Sequence, residues 1–312
     1  MPELPEVETT VKDLREKILG RKIEDVWTDF RKMIKKPKDF KCFKKEIKRK
    51  KIKNIRRRGK NILIDLSGNK TLLIHQKLTG HLLLGRWRVE KGGRISTFPP
   101  LSRKEWVPAK KIQWKSLLPG PLMEDPMNRF LHLIFWLDDE QMLALSDLRK
   151  FAKAELWDSD KLNQSEGIKN LGPEPLGKSF TFEKFQEILK NKRGKIKQIL
   201  MNQQVIAGIG NIYSDETLWE AEVHPSKDVS KLSQEELKKI YQAIKKILGK
   251  AIKVKGESIS DFRRISGEKG GFDLLRKVYR KEGKKCSRCG TIIKKIKLAG
   301  RSAHFCPNCQ LL

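Results

Sequence analysis

The sequence predicts an α+β protein in which a strand-rich amino-terminal half precedes a helical half and a small four-cysteine module. Short apolar runs separated by turn residues occupy the first half, whereas from Phe182 onward apolar residues recur at helical spacing. Two Cys-x2-Cys pairs follow Gly283. With 312 residues, 38% of them hydrophobic, the chain is long enough for two cores and an appended module.

The elements can be placed in order along the chain. A first helix is indicated by Val7, Val11, Leu14 and Ile18, which share a helical period, and Gly20 is placed to end it. Strands are predicted at residues 61–66, 71–75, 80–84, 130–137 and 141–146, and helices at residues 182–190, 196–203, 212–221 and 234–253. Between these strands, residues 86–128 are interpreted as an insertion that forms a long loop or an irregular β excursion.

The charge of the chain indicates a polyanionic partner. Lysine and arginine total 69 against 38 acidic residues, a formal net charge of +31. Residues 31–60 contain 17 of the basic residues and only Asp39 and Glu46 as acids. A solvated lysine-rich face accounts for part of this excess, but nucleic acid, bound with release of counterions, explains it more fully. The pattern shows neither a long apolar span nor a secretory signal, so we expect a cytosolic protein without membrane association.

The cysteine spacing predicts a metal site. Cys286, Cys289, Cys306 and Cys309 form two knuckles separated by 16 residues, the arrangement of a four-thiolate zinc site. In a reducing compartment such pairs favour metal over disulfides. The segment between the knuckles alternates as a β-hairpin does, with Ala299-Gly300 near its tip. We therefore expect one structural zinc ion, while Cys42 is left over as a buried thiol.

The opening residues Met1-Pro2-Glu3 offer a nucleophile. Only at a chain terminus is the secondary amine of proline free to attack, and an α-amino group with a pKa of about 7.7–8 is partly neutral near pH 7. If Met1 is removed, Pro2 is able to attack C1′ of a nucleotide and form an iminium, with Glu3 as the adjacent acid or base. The structural alternative is that proline and acids merely begin a helix.

Several motifs together resemble the bacterial formamidopyrimidine-DNA glycosylases, and the resemblance spans nearly the whole chain except the insertion. Between Ala207 and Tyr213, two glycines and an asparagine precede a helix, which alone would be an ordinary turn or a weak phosphate site. The motifs that carry the resemblance are Met1-Pro2-Glu3-Leu4-Pro5-Glu6-Val7-Glu8-Thr9, Arg58-Gly59-Lys60, His75-Gln76-Lys77-Leu78-Thr79-Gly80, Asp147-Leu148-Arg149-Lys150-Phe151, Leu171-Gly172-Pro173-Glu174-Pro175-Leu176, Gly208 to Tyr213 and the four cysteines.

The resemblance implies a β-sandwich catalytic domain with flanking helices at residues 1–171, a helix–two-turns–helix domain at 172–283 and a zinc finger at 284–312. It implies that Pro2 is the Schiff-base nucleophile, Glu3 a proton donor in base release, Lys60 the proton donor for β-elimination and Arg301 the residue for δ-elimination. The expected DNA contacts are Leu78, His132, Arg149, Phe151, Arg193, Lys197 and Asn211. The expected partner is damaged double-stranded DNA, bound by a monomer.

Leu78, Arg149 and Phe151 suit the insertion of a wedge into DNA. An enzyme that extrudes a base must fill the space left in the base stack and form hydrogen bonds to the partner base that is left unpaired. An apolar side chain can fill the space, and an arginine can bind the unpaired base. The chain has Leu78 where the family usually has methionine, and Lys150-Phe151-Ala152 where it usually has Arg-Phe-Gly. Because leucine still fills space, we expect altered base opening or opposite-base preference rather than loss of the wedge. Spacing alone, in contrast, would favour a core role for Leu78 and Phe151.

Three functions are compatible with the residues. The favoured one is a bifunctional glycosylase and abasic-site lyase for oxidised purines such as 8-oxoguanine and formamidopyrimidines. The others are a glycosylase of the same fold for oxidised pyrimidines and a non-enzymatic, zinc-containing DNA-binding protein. Leu4 and Val7 resemble the purine branch, whereas Pro2, Glu3 and Lys60 together argue against a mere binder. Residues 258–281 are expected to contribute the loop that covers an extruded base.

Overall fold

The fold was analysed in a computed structural model that describes residues 1–91, 94–96, 113–258 and 261–312. The helices are α1 (Leu4–Ile18), α2 (Phe40–Ile47), α3 (Pro121–Glu124), α4 (Phe182–Lys190), α5 (Ile196–Met201), α6 (Asn211–Glu220) and α7 (Gln234–Lys253). The strands are β1 (Ile23–Thr28), β2 (Ile34–Lys36), β3 (Ile52–Arg58), β4 (Asn61–Leu66), β5 (Lys70–His75), β6 (His81–Gly85), β7 (Trp87–Lys91), β8 (Arg94–Ser96), β9 (Gln113–Ser116), β10 (Leu131–Leu137), β11 (Met142–Ser146), β12 (Lys153–Asp158), β13 (Lys294–Leu298) and β14 (Arg301–Phe305).

Two sheets form a sandwich in the amino-terminal half. The strand order is β1-β10-β11-β6 in one sheet and β2-β12-β5-β4-β3 in the other. Side chains such as Ile64 and Leu72 of one sheet and Phe135 and Leu145 of the other share one buried cluster, which also receives the apolar faces of α1 and α2. The predicted α+β fold with a sandwich and flanking helices is therefore confirmed.

The described part of the insertion adds a small sheet to the sandwich. Strands β8, β7 and β9 pair in that order, and their tryptophans pack on the outer face of the four-stranded sheet. The rings of Trp27 and Trp114 meet edge to face, with centroids 5.3 Å apart. The sequence predicted either a long loop or an irregular β excursion for this insertion, and its described residues form the second. Positions 92–93 and 97–112 of the insertion lie outside the described residues.

The helical half has its own core, and the first helix enters it. Helices α4 to α7 bury residues such as Leu200, Tyr213 and Ile244 in one cluster, and Leu4 at the start of α1 belongs to that cluster too. The backbone N–H of Leu4 also donates to the carbonyl of Gly208, at 3.0 Å. The start of the chain is thus fixed to the helical half, although the rest of α1 packs on the sandwich.

The boundaries of α4, α7 and β4 match the prediction to the residue, whereas several other elements were not predicted. Helix α2, with Phe43 and Ile47 buried and Asp39 as its N-cap, falls in the basic stretch for which no element was predicted. Strands β1, β3 and β12 were not predicted either. Within the described ranges, no helix is long and apolar enough to cross a membrane.

Candidate active site

The side chain of Glu3 caps the start of helix α6 from the other half of the molecule. Its carboxylate accepts hydrogen bonds from the backbone N–H groups of Gly210 (2.6 Å), Ile212 (2.9 Å) and Tyr213 (3.4 Å). Glu3 is 2% exposed. The partial positive charge of a helix N-terminus stabilises an anion at this position. The helix start that the sequence offered as an ordinary turn or a weak phosphate site therefore holds the carboxylate of Glu3 in this structure.

Lys60 lies beside Glu3 at the same helix start. Gly210 marks the contact, because a Cβ atom built there would be 2.6 Å from Oε1 of Glu3 and 2.8 Å from Nζ of Lys60. Lys60 is 6% exposed, and its burial lowers its pKa while the charges of Glu3 and Glu6 oppose that shift. A lysine with a lowered pKa exchanges protons more readily near neutral pH. The geometry thus brings the two predicted acid–base residues together.

Glu6 is a second buried acid that the sequence did not single out. Burial raises its pKa to about 8, although the hydroxyl of Tyr213 donates to it at 2.5 Å. Glu6 also accepts hydrogen bonds from the backbone N–H groups of Glu3 (2.7 Å) and Glu257 (2.8 Å). It therefore connects the amino terminus to α6 and to the segment that enters the predicted covering loop. Residues 259–260 of that loop lie outside the described residues.

Pro2 precedes Glu3 directly and is buried, whereas Met1 is 44% exposed. While Met1 is attached, the nitrogen of Pro2 belongs to a peptide bond and has no basic lone pair. Removal of Met1 would free that nitrogen one residue before Glu3 in the chain. The arrangement is therefore compatible with an amine nucleophile that depends on processing.

The predicted wedge residues lie on two loops that one buried carboxylate holds together. Asp147 is 0% exposed and accepts hydrogen bonds from the hydroxyl of Thr79 and from the backbone N–H groups of Arg149 (3.2 Å) and Ala152 (2.7 Å). Thr79 adjoins Leu78, so Asp147 fixes the loop of Leu78 against the loop of Arg149. Asp147 lay within a recognised motif, but its role as a link could not be predicted from spacing.

The exposed side chains on these loops fit the wedge hypothesis better than a core role. Phe151 is 51% exposed, and the Cζ atom of Arg149 lies 4.7 Å from the centre of its ring. Leu78 is partly buried in the turn after β5. Exposed aromatic and arginine side chains in contact provide a surface that can stack on bases. Their contact with DNA remains a prediction.

The other predicted DNA contacts differ widely in exposure. Arg193 is exposed between α4 and α5, and Asn211 is the partly buried first residue of α6. His132 is 8% exposed, with Nδ1 2.9 Å from a carboxylate oxygen of Asp29. Lys197, in contrast, is 1% exposed, and its Nζ lies 2.6 Å from Oδ1 of Asp215. A phosphate contact by Lys197 stays a prediction that this burial does not favour.

The four cysteines converge at the expected metal site. Their Sγ atoms all lie within 4.8 Å of one another, and three pairs are separated by 3.4, 3.4 and 4.0 Å. Four thiolates around zinc, each about 2.3 Å from the ion, require sulfur separations of this size. Ala299 and Gly300 form the tip between β13 and β14, with φ of 44° and 77°. Arg301 follows at the exposed start of β14.

The β-sandwich, the separate helical half and the four-cysteine hairpin together are the parts of a DNA-processing protein of the β-sandwich and helix–two-turns–helix class. Family models agree along the chain. The formamidopyrimidine-DNA glycosylase N-terminal domain matches residues 1–154, the formamidopyrimidine-DNA glycosylase H2TH domain matches 171–263, and the zinc finger found in FPG and IleRS matches 283–311. The chain belongs to the formamidopyrimidine-DNA glycosylase family, and the predicted single zinc site is confirmed. The predicted boundaries at 171 and 283 stay predictions.

Relatives and solved structures match over the full length. The formamidopyrimidine-DNA glycosylases of Pelotomaculum thermopropionicum and Streptococcus pneumoniae are each 36% identical over 310 residues, covering 99% of both chains in each comparison. A complex between a Lactococcus lactis FPG mutant and Fapy-dG containing DNA has a TM-score of 0.81 at 33% identity, with 100% of both chains covered. A complex of Lactococcus lactis Fpg with abasic-site DNA also has a TM-score of 0.81 and 33% identity, with 99% of this chain and 100% of that chain covered.

Proposed function

We propose that this protein excises oxidised purines from duplex DNA and then cleaves the strand at the resulting abasic site, through a Schiff base at Pro2. Family membership makes the protein a DNA glycosylase with damaged duplex DNA as its partner. The observation that carries the proposed mechanism is the position of Glu3 and Lys60 together at the start of α6, next to the buried Pro2.

The proposed reaction begins with attack by the free nitrogen of Pro2 on C1′ of the damaged nucleotide. The N–C1′ bond forms, the glycosidic bond breaks, and the base leaves with the electron pair and takes up a proton. The Pro2 nitrogen then loses its proton, the C1′–O4′ bond breaks as O4′ takes up a proton, and the opened sugar is held as an iminium at C1′. Because this iminium derives from a secondary amine, it has no N–H proton to lose, so it acts as an electron sink. Loss of a proton from C2′ then expels the 3′ phosphate, and a second elimination breaks the C5′–O bond.

Three side chains have proposed roles in these steps. Glu3 transfers a proton during base release, and Lys60 supplies a proton during β-elimination, for which its lowered pKa suits it. Arg301 serves the δ-elimination, because a guanidinium group remains protonated and stabilises charge on a departing phosphate. The charge of Arg301 contributes to the lowered pKa of Lys60, which supports its proximity to the site.

The proposed DNA interface combines the wedge with basic and polar contacts. Leu78 and Phe151 fill the vacated stack while Arg149 contacts the unpaired base. His132, Arg193 and Asn211 are the further proposed contacts, whereas the burial of Lys197 does not favour the direct contact implied by the resemblance. The net charge of +31 supports binding through counterion release. We propose that the protein acts as a monomer in the cytoplasm, at the DNA itself. The zinc-binding cysteines stabilise the hairpin that carries Arg301.

Reductive trapping tests the Schiff base. Sodium borohydride should link the processed protein covalently to abasic or 8-oxoguanine DNA, because reduction of the iminium at Pro2 gives a stable amine. Pro2→Gly should weaken the trap and retention of Met1 should abolish it. Equal trapping by a protein that retains Met1 would place the nucleophile elsewhere.

A cleavage panel tests the lesion class separately. Duplexes carrying 8-oxoguanine, formamidopyrimidine, oxidised cytosine, uracil or an abasic site would be incubated with the processed protein. Faster release of the oxidised purines is expected, whereas preference for oxidised cytosine would favour the pyrimidine-specific alternative. Binding without any release or trapping would support the non-enzymatic alternative.

A further inference from the structure

The hairpin of strands β13 and β14, which lies between the two cysteine pairs, is attached to the helical half through a buried ion pair. Lys197 of α5 and Asp215 of α6 are 1% and 0% exposed, and Nζ of Lys197 lies 2.6 Å from Oδ1 of Asp215. The same Nζ donates to the backbone carbonyl of Ser302, at 2.5 Å. Ser302 follows Arg301 directly in β14, so the ammonium group of Lys197 is bound to the residue next to the proposed catalytic arginine.

The second oxygen of Asp215 holds the hairpin at another point. Oδ2 of Asp215 accepts a hydrogen bond from the backbone N–H of His304 (3.0 Å) and lies 2.9 Å from Nδ1 of the same residue. The Lys197–Asp215 ion pair therefore attaches strand β14 at residues 302 and 304. Two attachment points on a short strand fix both its position and its direction.

Arg301 is the residue whose position this attachment determines. It is exposed at the end of the tight turn formed by Ala299 and Gly300, and it lines a cavity of about 280 Å³ together with Lys197 and Asn202. An isolated two-stranded hairpin is only marginally stable, and the cysteine site supports this hairpin at the end away from its tip. The attachment through Lys197 supplies support near the tip.

Burial makes Lys197 unlike a residue that binds phosphate from the surface. Lysine is almost never fully buried without a partner, and taking both charges of this pair out of water is costly. Burial lowers the pKa of Lys197, which the charge of Asp215 opposes. Because Nζ is held by Asp215 and by the carbonyl of Ser302, reaching a phosphate would require those contacts to break.

We propose that the Lys197–Asp215 ion pair is a positioning device that aims Arg301 at the sugar-phosphate for the second elimination, rather than a direct phosphate contact. This inference rests on the proposed function, in which Arg301 promotes δ-elimination. Lys197 is therefore a positioning residue, and its removal should alter the partition between the two eliminations.

The test measures the ratio of δ-elimination to β-elimination products on an abasic duplex under single-turnover conditions at saturating DNA. Lys197→Met and Asp215→Asn should each lower this ratio tenfold or more. Lys195→Met is the matched control, because Lys195 lies two residues away and its ion pair with Asp228 is only partly buried. An unchanged ratio in both Lys197→Met and Asp215→Asn would overturn the proposal.

A second comparison separates positioning from phosphate binding. If Lys197 acts through Arg301, then Lys197→Met should change the product ratio no further in an Arg301→Ala background. A phosphate contact would instead reduce the salt dependence of DNA binding by about one unit in both backgrounds. That outcome, with an unchanged product ratio, would also overturn the proposal.

Folding and the proposed function are monitored in the same samples. Zinc content and melting temperature report whether the hairpin and the cores are intact. Should Lys197→Met fail to fold, the double variant Lys197→Met/Asp215→Leu removes both charges, and it should still show the lowered ratio because the contacts to residues 302 and 304 are lost. A parent protein that neither traps nor cleaves would refute the proposed function, whereas normal trapping with an unchanged ratio in the variants would refute only the positioning role.

Discussion

One added methyl group should disable the site without removing any catalytic side chain. A Cβ atom at Gly210 would lie 2.5 Å from Cδ of Glu3 and 2.8 Å from Nζ of Lys60, whereas ordinary contacts are 3.4–4 Å. Glu3 and Lys60 must therefore move by about 1 Å in Gly210→Ala, and a displacement of that size costs about 10²-fold in rate. The corresponding loss of transition-state stabilisation is about 2.7 kcal/mol. Backbone strain would not contribute to this loss of rate, because φ at Gly210 is −134°, a value that alanine also adopts.

The assay is single-turnover base release and borohydride trapping at saturating DNA. Gly249→Ala is the matched control, because a Cβ atom at this position in α7 would meet no described atom within 4 Å. This control should keep the parental rate and gain about 0.5–1 kcal/mol of stability, since alanine favours a helix interior over glycine. Parental rates in Gly210→Ala would show that the start of α6 does not position the reacting groups.

Three further predictions concern other parts of the molecule. Lys60→Met should slow strand cleavage at saturating DNA by about 10²–10⁴-fold, and an unchanged rate in the variant would exclude a proton-transfer role for Lys60. Because burial lowers the pKa of Lys60, its charge is lost at pH values below 10.5 as pH rises, so cleavage by the parent protein should decline there. Cys306→Ser or zinc removal should impair DNA binding more than the melting of the two larger cores, as measured by titration and calorimetry; global unfolding would contradict this. Arg193→Ala should weaken binding to damaged and undamaged duplexes alike and reduce the salt slope by about one unit, whereas lesion-specific loss would assign Arg193 a different role.

Apolar patterns and N-cap residues in the sequence were sufficient to predict several helices and strands. The strand of residues 61–66 is built on the apolar residues 62–64 and Leu66. Helices α4 and α7 have N-caps, Thr181 and Ser233, before a helical period, so the boundaries of all three elements agree with the structure. Helix α2 was missed because lysines interrupt its short apolar face. Its N-cap Asp39, four residues before the buried Phe43, was the signal that could have found it.

The site was predictable in its residues but not in their contacts. The resemblance selected Glu3 and Lys60, which the structure brings together, but nothing local indicated that Glu3 would cap a helix 207 residues further along the chain. For Lys197 the resemblance implied a contact with DNA. Its burial depends on Asp215 and Ser302, which lie 18 and 105 residues away, so single-sequence patterns could not reveal it.

The bond between Leu4 and Gly208 has a consequence for the order of folding. The amino terminus leaves the ribosome first, yet Glu3 and Leu4 find their partners only after residues 208–213 have been synthesised. Contacts so distant in sequence form late, because loop closure must precede them. A nascent or truncated chain that ends within the strand-rich half exposes Leu4 and has no helix start to hold Glu3. Pro2, the proposed nucleophile, is therefore synthesised first but positioned only once most of the chain exists.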